Sequence, residues 1–230
     1  MLSFFLPKGP PENDDGTVTK TETVLDFLWE LMKVVVVSLA IILPVRYFLV
    51  QPFYVKGASM EPTYHERDYL IVDEVSYRFQ NPERGDVIVF KCASPACGLS
   101  RGEYLIKRVI GLPWEQVELR EGLVFVKNKE HPQGFYLDER PYLIRGIYPH
   151  DTLNVDLGAN EFFVMGDNRC WSFASEDFGP IQRSWIIGRA WIRGWPFSKA
   201  GFLSTHAYTT LLATADTNTL RHPDCIEGME

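Results

Sequence analysis

The hydrophobic positions of this chain fall into two patterns, and the first is one long apolar run. Residues 31–50 are almost continuously apolar and as a helix would extend about 30 Å, enough to cross a bilayer. Lys33 and Arg46 interrupt the run near its two ends, where long side chains can reach the headgroups. A buried core helix is the alternative, but residues 34–45 provide no charged face for solvent before Arg46. We therefore predict a transmembrane anchor at residues 24–50, whose direction the flanking charges do not settle.

The second pattern consists of short runs of branched and aromatic residues separated by turn residues. It predicts strands at 69–75, 86–91, 104–110, 116–120, 123–127, 161–165 and 186–192, with the fourth and fifth joined in a hairpin by Glu121 and Gly122. These runs define a β-rich domain at residues 51–200, which includes a loop-rich excursion at about 128–160. The polar residues 1–23 predict a disordered tail and do not resemble a cleavable signal peptide. Residues 201–230 are expected to form a second tail of low order.

The expected fold class is mostly β, with antiparallel sheets, one N-terminal transmembrane helix and a loop-rich minor subdomain. The chain has 230 residues, of which 46% are hydrophobic, so it can bury one good core. Its net charge of −7 argues against a nucleic-acid partner, which would require a basic surface. No cysteine or histidine grouping has the spacing of a zinc site, so we expect no metal. Cys92 and Cys97 are spaced for a small disulfide loop, but two unpaired thiols remain an equal alternative.

The segment Gly57–Thr63 contains a candidate nucleophile, Ser59. Glycine and proline in so short a segment predict a sharply turned loop, which could present both the hydroxyl and the backbone N–H of Ser59 to a bound carbonyl. The same composition is typical of an ordinary turn. A serine also needs a base. The five histidines lie in polar, loop-like or tail segments, and the chain has no Gly-x-Ser-x-Gly elbow. A histidine triad is therefore poorly supported.

Lys107 is the better candidate for the base. It interrupts the apolar run at 104–110, where side chains alternate between the two faces of a strand, so either Lys107 or Arg108 must face the core. Burial disfavours the ammonium form and lowers the pKa of a lysine toward neutrality, as general-base catalysis requires. From the pattern alone, a solvated lysine on an edge strand is the simpler interpretation.

Four short motifs resemble the sequence boxes of bacterial type I signal peptidases. They are Gly-x-Ser-Met-x-Pro-Thr at 57–63, Arg-Gly-Asp-Val at 84–87, Lys-Arg-Val-Ile-Gly-Leu-Pro at 107–113 and Gly-Asp-Asn-Arg at 166–169. The boxes occur in the family's order, directly after the predicted anchor. The resemblance implies a serine endopeptidase that removes signal peptides from exported preproteins on the extracytoplasmic side of the cytoplasmic membrane. It also implies small substrate residues at positions −1 and −3 from the cut, with the lipid bilayer as the other partner.

The resemblance further implies a role for each matching residue. Ser59 would be the nucleophile and contribute its N–H to the oxyanion hole, and Lys107 would be the general base. Ser172 would orient the lysine amine, while Arg108 and Asp167 would form a structural ion pair. No metal or organic cofactor is implied. We expect a monomer, although the sequence itself does not fix the oligomeric state.

The fourth box departs from the family pattern. Ala174 stands where an aspartate is typical and Glu176 where an arginine is typical, so both members of an acid–base pair are changed. Gly57 replaces a serine that assists the oxyanion hole in many members. The changes at Ala174 and Glu176 motivate one rival, an anchored β domain that binds exported chains without turnover. A second rival, a related Ser–Lys enzyme that cleaves itself as LexA-like repressors do, lacks support, because such chains carry a DNA-binding domain where this one has the predicted membrane anchor.

Overall fold

The computed structural model describes residues 20–48, 50–93, 95–97, 103–143, 153–206, 208 and 210–212. The chain divides into two compact units, a helical one that ends at Phe48 and a β-rich one that begins at Leu49. The predicted disorder of residues 1–23 falls mainly outside the described residues, as does the chain beyond 212.

The helical unit contains one long helix, α1 (Lys20–Phe48). It begins inside the segment predicted to be disordered, and the side chains described along it, residues 24–43, are all exposed. Within the described part of the chain, no helix is both long and apolar enough to span a membrane. The transmembrane anchor predicted at 24–50 is therefore not confirmed.

The β-rich unit is built on two antiparallel sheets, which confirms the mostly β prediction. Among the described residues the larger sheet has the strand order β1-β2-β11-β3-β4-β9-β10, with β12 paired to β11. Its strands are β1 (Val50–Tyr54), β2 (Tyr69–Asp73), β3 (Val87–Lys91), β4 (Tyr104–Gly111), β9 (Glu161–Met165), β10 (Ile181–Gln182), β11 (Ile186–Trp195) and β12 (Gly201–Phe202).

The smaller sheet has the order β13-β7-β6-β5-β8 in the described residues. Its strands are β5 (Gln116–Arg120), β6 (Leu123–Lys127), β7 (Phe135–Leu137), β8 (Leu153–Asp156) and β13 (Thr210–Leu212). The described part of the β-rich unit also contains two short α-helices, α2 (Ser76–Phe79) and α3 (Ser175–Phe178), and several single turns of 3-10 helix. The β5–β6 hairpin turns as predicted, with positive φ at both Glu121 and Gly122.

The sequence missed the strands that carry little apolar signal. β1 contains Pro52, and it lies at the end of the strand order, where proline's missing donor is tolerated. β7 and β8 lie inside the predicted excursion at 128–160, so the described part of that segment belongs to the smaller sheet. Each has three or four residues, which is too short for an alternating pattern to be recognised.

The segment predicted as a low-order tail at 201–230 is also different in its described part. β12 pairs with β11, and β13 pairs with β7. The Tyr208 hydroxyl lies 2.6 Å from that of Tyr142. The β13 pairing and the Tyr208 contact are made with residues distant in sequence, which local composition cannot reveal. The described residues after 200 are therefore part of the fold.

The side chains of β4 alternate between differently packed apolar clusters. Leu105 and Val109 pack in a cluster with Ala174 and Phe178 of the α3 region. Ile106 and Ile110 pack in two other clusters. Because both faces of β4 are covered, neither of its two basic residues can turn toward open solvent. The first cluster also contains Cys92 and Cys97, which form a disulfide, a pairing that the sequence left open.

Candidate active site

The loop between β1 and β2 holds Ser59 in a fixed turn. Gly57 has φ +80°, a conformation that residues with a side chain rarely adopt. The turn continues with hydrogen bonds from Glu61 N–H to Ala58 O (3.1 Å) and from Tyr64 N–H to Met60 O (2.8 Å). Met60, directly after the serine, is fully buried in an apolar cluster. The buried Met60 side chain therefore fixes the position of Ser59, whose own side chain remains partly accessible.

The structure places the two predicted catalytic side chains together. Lys107 Nζ donates a hydrogen bond to Ser59 Oγ at 2.7 Å, although the residues are 48 positions apart. Lys107 is only 3% exposed. Burial lowers the pKa of Lys107 from its ordinary 10.5 to about 8, and the nearby charges of Glu176 and Asp167 limit that fall. About one tenth of this amine is thus neutral at pH 7, far more than for an ordinary lysine.

Arg108, the next residue, is equally buried but is fully paired. It donates to both carboxylate oxygens of Asp167, from Nε at 2.8 Å and from Nη2 at 2.6 Å, and to Gly85 O at 2.9 Å. Burial alone would lower the pKa of Arg108, but the hydrogen bonds and charge of Asp167 raise it above its ordinary value. Thr63 Oγ1 also donates to Asp167, at 2.5 Å. This ion pair therefore fastens the nucleophile loop to β4.

Asn168 connects the fourth box to the nucleophile directly. Its backbone N–H donates to Ser59 O at 3.0 Å, and its side-chain amide donates to Ala58 O at 3.1 Å. The Ser59 N–H itself donates to no other described residue, which leaves it free for a substrate oxygen. The carbonyl side of the serine is thus occupied by structural bonds and its amide side is open.

Ser172 lies in the site without the contact predicted for it. A Cβ added to Gly166 would meet Ser172 Oγ at 2.1 Å and Ser59 O at 2.4 Å, so Ser172 packs closely beside the nucleophile loop. Its hydroxyl is buried and has no hydrogen-bond partner within the described part of the chain. The orienting bond from Ser172 to Lys107 stays a prediction.

This geometry agrees with what comparison to known proteins shows. Residues 28–195 match the model of the family described as "Signal peptidase, peptidase S26". The chain belongs to the S26 signal peptidase family. Membership of that family makes it a peptidase.

Several S26 relatives are similar over most of the chain. A signal peptidase I of Leptolyngbya laminosa is 35% identical over 86% of this chain and 93% of its own length. A probable signal peptidase I-2 of Synechocystis is 33% identical over 83% and 84%, respectively. Thylakoidal processing peptidase 1 of Arabidopsis thaliana is 32% identical over 67% of this chain and 44% of its own. A solved signal peptidase I from Enterococcus faecalis is 24% identical over 48% of this chain and 97% of its own, with a TM-score of 0.36.

Two buried groups of this S26 peptidase were missed by sequence reasoning. Arg169 donates to both oxygens of Glu139 and, at 3.0 Å, to Gly166 O. The Tyr142 hydroxyl donates a hydrogen bond to Glu139. The Arg108 guanidinium carbon lies over the Tyr142 ring, 4.2 Å from the ring centroid. Glu139 and Tyr142 come from the predicted excursion, where their polar surroundings gave no signal of burial.

The altered fourth box gives this S26 peptidase an unusual carboxyl group near its base. Ala174 is fully buried in the apolar cluster that includes Val109, and Glu176 lies on α3, two residues further. Ser175 fixes α3 to the sheet by accepting a 3.0 Å hydrogen bond from Val164 N–H. One oxygen of Glu176 is buried without a partner among the described residues. Burial raises the pKa of Glu176 to about 7, with Arg169 and Lys107 opposing that rise.

Proposed function

We propose that this protein is a serine endopeptidase that removes N-terminal signal peptides from exported preproteins by a Ser59–Lys107 dyad. The observation that carries the proposal is the 2.7 Å hydrogen bond between Lys107 Nζ and Ser59 Oγ at a buried amine. The names of the relatives, signal peptidase I among them, support the substrate class.

The proposed reaction follows from which groups of the site can accept or donate a proton. Neutral Lys107 accepts the proton of the Ser59 hydroxyl as Ser59 Oγ attacks the scissile carbonyl. The Ser59 N–H stabilises the oxyanion, because it is the donor left open beside the attacking atom. Lys107 then returns the proton to the leaving amine, and water attacks the acyl-enzyme with the same lysine as base. Ser172 is proposed to orient the lysine amine, and Arg108 with Asp167 to hold the loop.

We also propose that the small-residue rule applies, with Ala-like side chains at −1 and −3. An extended peptide turns alternate side chains toward the same surface, which suits two shallow pockets separated by one residue.

The test is cleavage of a preprotein with an Ala-x-Ala site by the purified full chain between pH 6 and pH 10. Wild type should cut at that site, and the rate should rise with pH as Lys107 loses its proton. Ser59→Ala and Lys107→Ala should be inactive while folded, whereas Ser204→Ala and Lys129→Ala, which change exposed residues, should retain activity. Activity in either dyad variant would refute the dyad. A folded wild type that binds the preprotein without cutting it would favour the binding-only alternative.

The finer proposal is membrane attachment through α1, with the β-rich unit on the extracytoplasmic side. It is supported by the apolar run at 31–50 and by the exposure of the described apolar side chains, among them Val36 and Ile41. The full chain should resist alkaline extraction from membranes, and a Val36→Asp/Ile41→Asp variant should be released. Protease added to intact spheroplasts should degrade the β-rich unit, and complete protection would place it on the opposite side.

A further inference from the structure

A cavity of about 580 Å³ opens beside the nucleophile and has no part in the steps above. Ala58 and Asn168 lie in its wall, and these are the residues whose hydrogen bond closes the turn next to Ser59. Glu61, His65 and Trp171 form much of the remaining lining. The cavity therefore adjoins the turn that would present Ser59 to a substrate.

The size of the cavity identifies which side of the substrate it holds. The residues expected before the cut are small at −1 and −3, and a methyl group needs only a shallow depression. A space of about 580 Å³ is far larger than that and falls in the range of pockets that enclose large ligands. It suits the segment after the cut, where the small-residue rule sets no limit.

The charges of the lining leave one carboxylate unpaired. Asp167 is neutralised by Arg108, and Arg169 by Glu139. Within the described part of the chain, Glu61 makes no ion pair or side-chain hydrogen bond. The cavity therefore presents a net negative charge from Glu61, which favours a cationic ligand.

Two further features of the lining suit a cationic side chain in an extended peptide. Trp171 is 65% exposed, so its ring is available to stack on a hydrocarbon stem or to face a cation. His65 also lines the cavity, and its Nδ1 is buried without a hydrogen-bond partner among the described residues.

We propose that this cavity binds the first residues after the cut, and that Glu61 and Trp171 make it prefer a lysine or arginine side chain over an acidic one. The inference rests on the proposed function and assigns charge selectivity to the same site.

The test uses three peptides that are identical up to an Ala-x-Ala cut and carry Lys, Gln or Glu at the second position after it. At low salt, kcat/KM should fall in the order Lys, Gln, Glu, with about a fivefold range between the extremes, as a single partly solvated charge allows. Glu61→Gln should bring the Lys and Glu peptides to within about twofold, and salt near 0.5 M should have a similar effect. Trp171→Leu should lower kcat/KM for the Lys peptide more than for the Gln peptide.

The control variant is Glu66→Gln, which removes an exposed carboxylate of the same loop that does not line the cavity; it should leave the Lys-to-Glu ratio unchanged. The control peptides carry the same three residues at the second position before the cut and should show no dependence on Glu61. An unchanged ratio in Glu61→Gln, or a charge effect confined to the residues before the cut, would overturn the proposal.

A binding measurement separates this inference from the proposed function. Fluorescently labelled peptides that represent only the segment after the cut are titrated into the Ser59→Ala variant and followed by anisotropy. The Lys peptide should bind several-fold more tightly than the Glu peptide, and adding Glu61→Gln should remove that difference. Equal binding of the two peptides would sink the charge selectivity even if wild type cleaves preproteins, and selective binding would support it even if cleavage fails.

Discussion

Replacing Glu176 with glutamine should move the pH dependence of cleavage to lower pH. The reaction requires the neutral amine of Lys107, and an ionised carboxylate nearby stabilises the ammonium form. Glu176 is the larger of the two charge effects that raise the pKa of Lys107 against the effect of burial. Removing that charge therefore lowers the pKa of Lys107 at pH values where Glu176 is ionised, above its own pKa of about 7, and a larger fraction of the base is neutral between roughly pH 7 and pH 9.

The size of the effect follows from the pKa of about 8. At that value about one tenth of Lys107 is neutral at pH 7 and about half at pH 8. The gain should be largest near pH 8, where Glu176 is ionised; there the neutral fraction can rise from about half to nearly all, so the rate should increase by up to about twofold. The rate well above pH 9 should change little, because Lys107 is already neutral there in both proteins.

The assay is kcat/KM for a matched peptide at half-unit steps from pH 6 to pH 10. Wild type should show an acidic limb with a midpoint near pH 8, where Lys107 loses its proton. Glu130→Gln, which removes an exposed carboxylate on the loop after β6, should leave the midpoint in place. A Glu176→Gln midpoint equal to or higher than that of wild type would refute the electrostatic coupling.

Three further predictions concern the support of the site. Gly166→Ala should reduce kcat at least about tenfold, because the added Cβ would overlap Ser172 Oγ and Ser59 O and displace the catalytic groups. The control is Gly201→Ala, whose added Cβ would meet nothing within 4 Å; it should leave kcat in the same peptide assay unchanged. Asp167→Asn should lower the free energy of unfolding by about 3–5 kcal/mol by leaving a buried guanidinium without its counter-ion, and a loss below 1 kcal/mol in urea titrations would contradict the pairing. Tyr208→Phe should lower the free energy of unfolding by about 1 kcal/mol, because it removes the hydrogen bond between the Tyr208 and Tyr142 hydroxyls. An unchanged urea midpoint would show that this hydrogen bond is not formed in solution.

The nucleophile and base could be predicted because both belong to short local motifs. The turn around Ser59 is specified by Gly57 and Pro62, and Lys107 stands out against the apolar residues beside it. Their contact is not local, since it depends on the packing of the β1–β2 loop against β4. The family resemblance supplied that contact, whereas alternation along β4 indicated only that one of the two basic residues faces inward.

The residues that support the site could not be predicted in the same way. Glu139 and Tyr142 lie in a polar segment, and their burial depends on Arg169, from the short helical turn after β9, and on Arg108, from β4. Tyr208 belongs to a segment whose composition suggests low order, yet it packs against the apolar cluster of the smaller sheet. In each case the burial of the residue depends on a partner distant in sequence, so a pattern read over ten residues does not predict it.

Whether the disulfide between Cys92 and Cys97 is formed in a sample should affect the kinetics of cleavage. Both cysteines lie in the apolar cluster that also contains Ala174 and Phe178. Ala174 and Phe178 flank Glu176 in the sequence. A chain prepared in a reducing cytosol would carry two thiols there, and the turn at 92–97 would be free to move away from α3. Because Glu176 is positioned by α3, the pH midpoint of cleavage should differ between oxidised and reduced batches of the same purified protein. Thiol titration therefore belongs beside every pH profile measured on this enzyme.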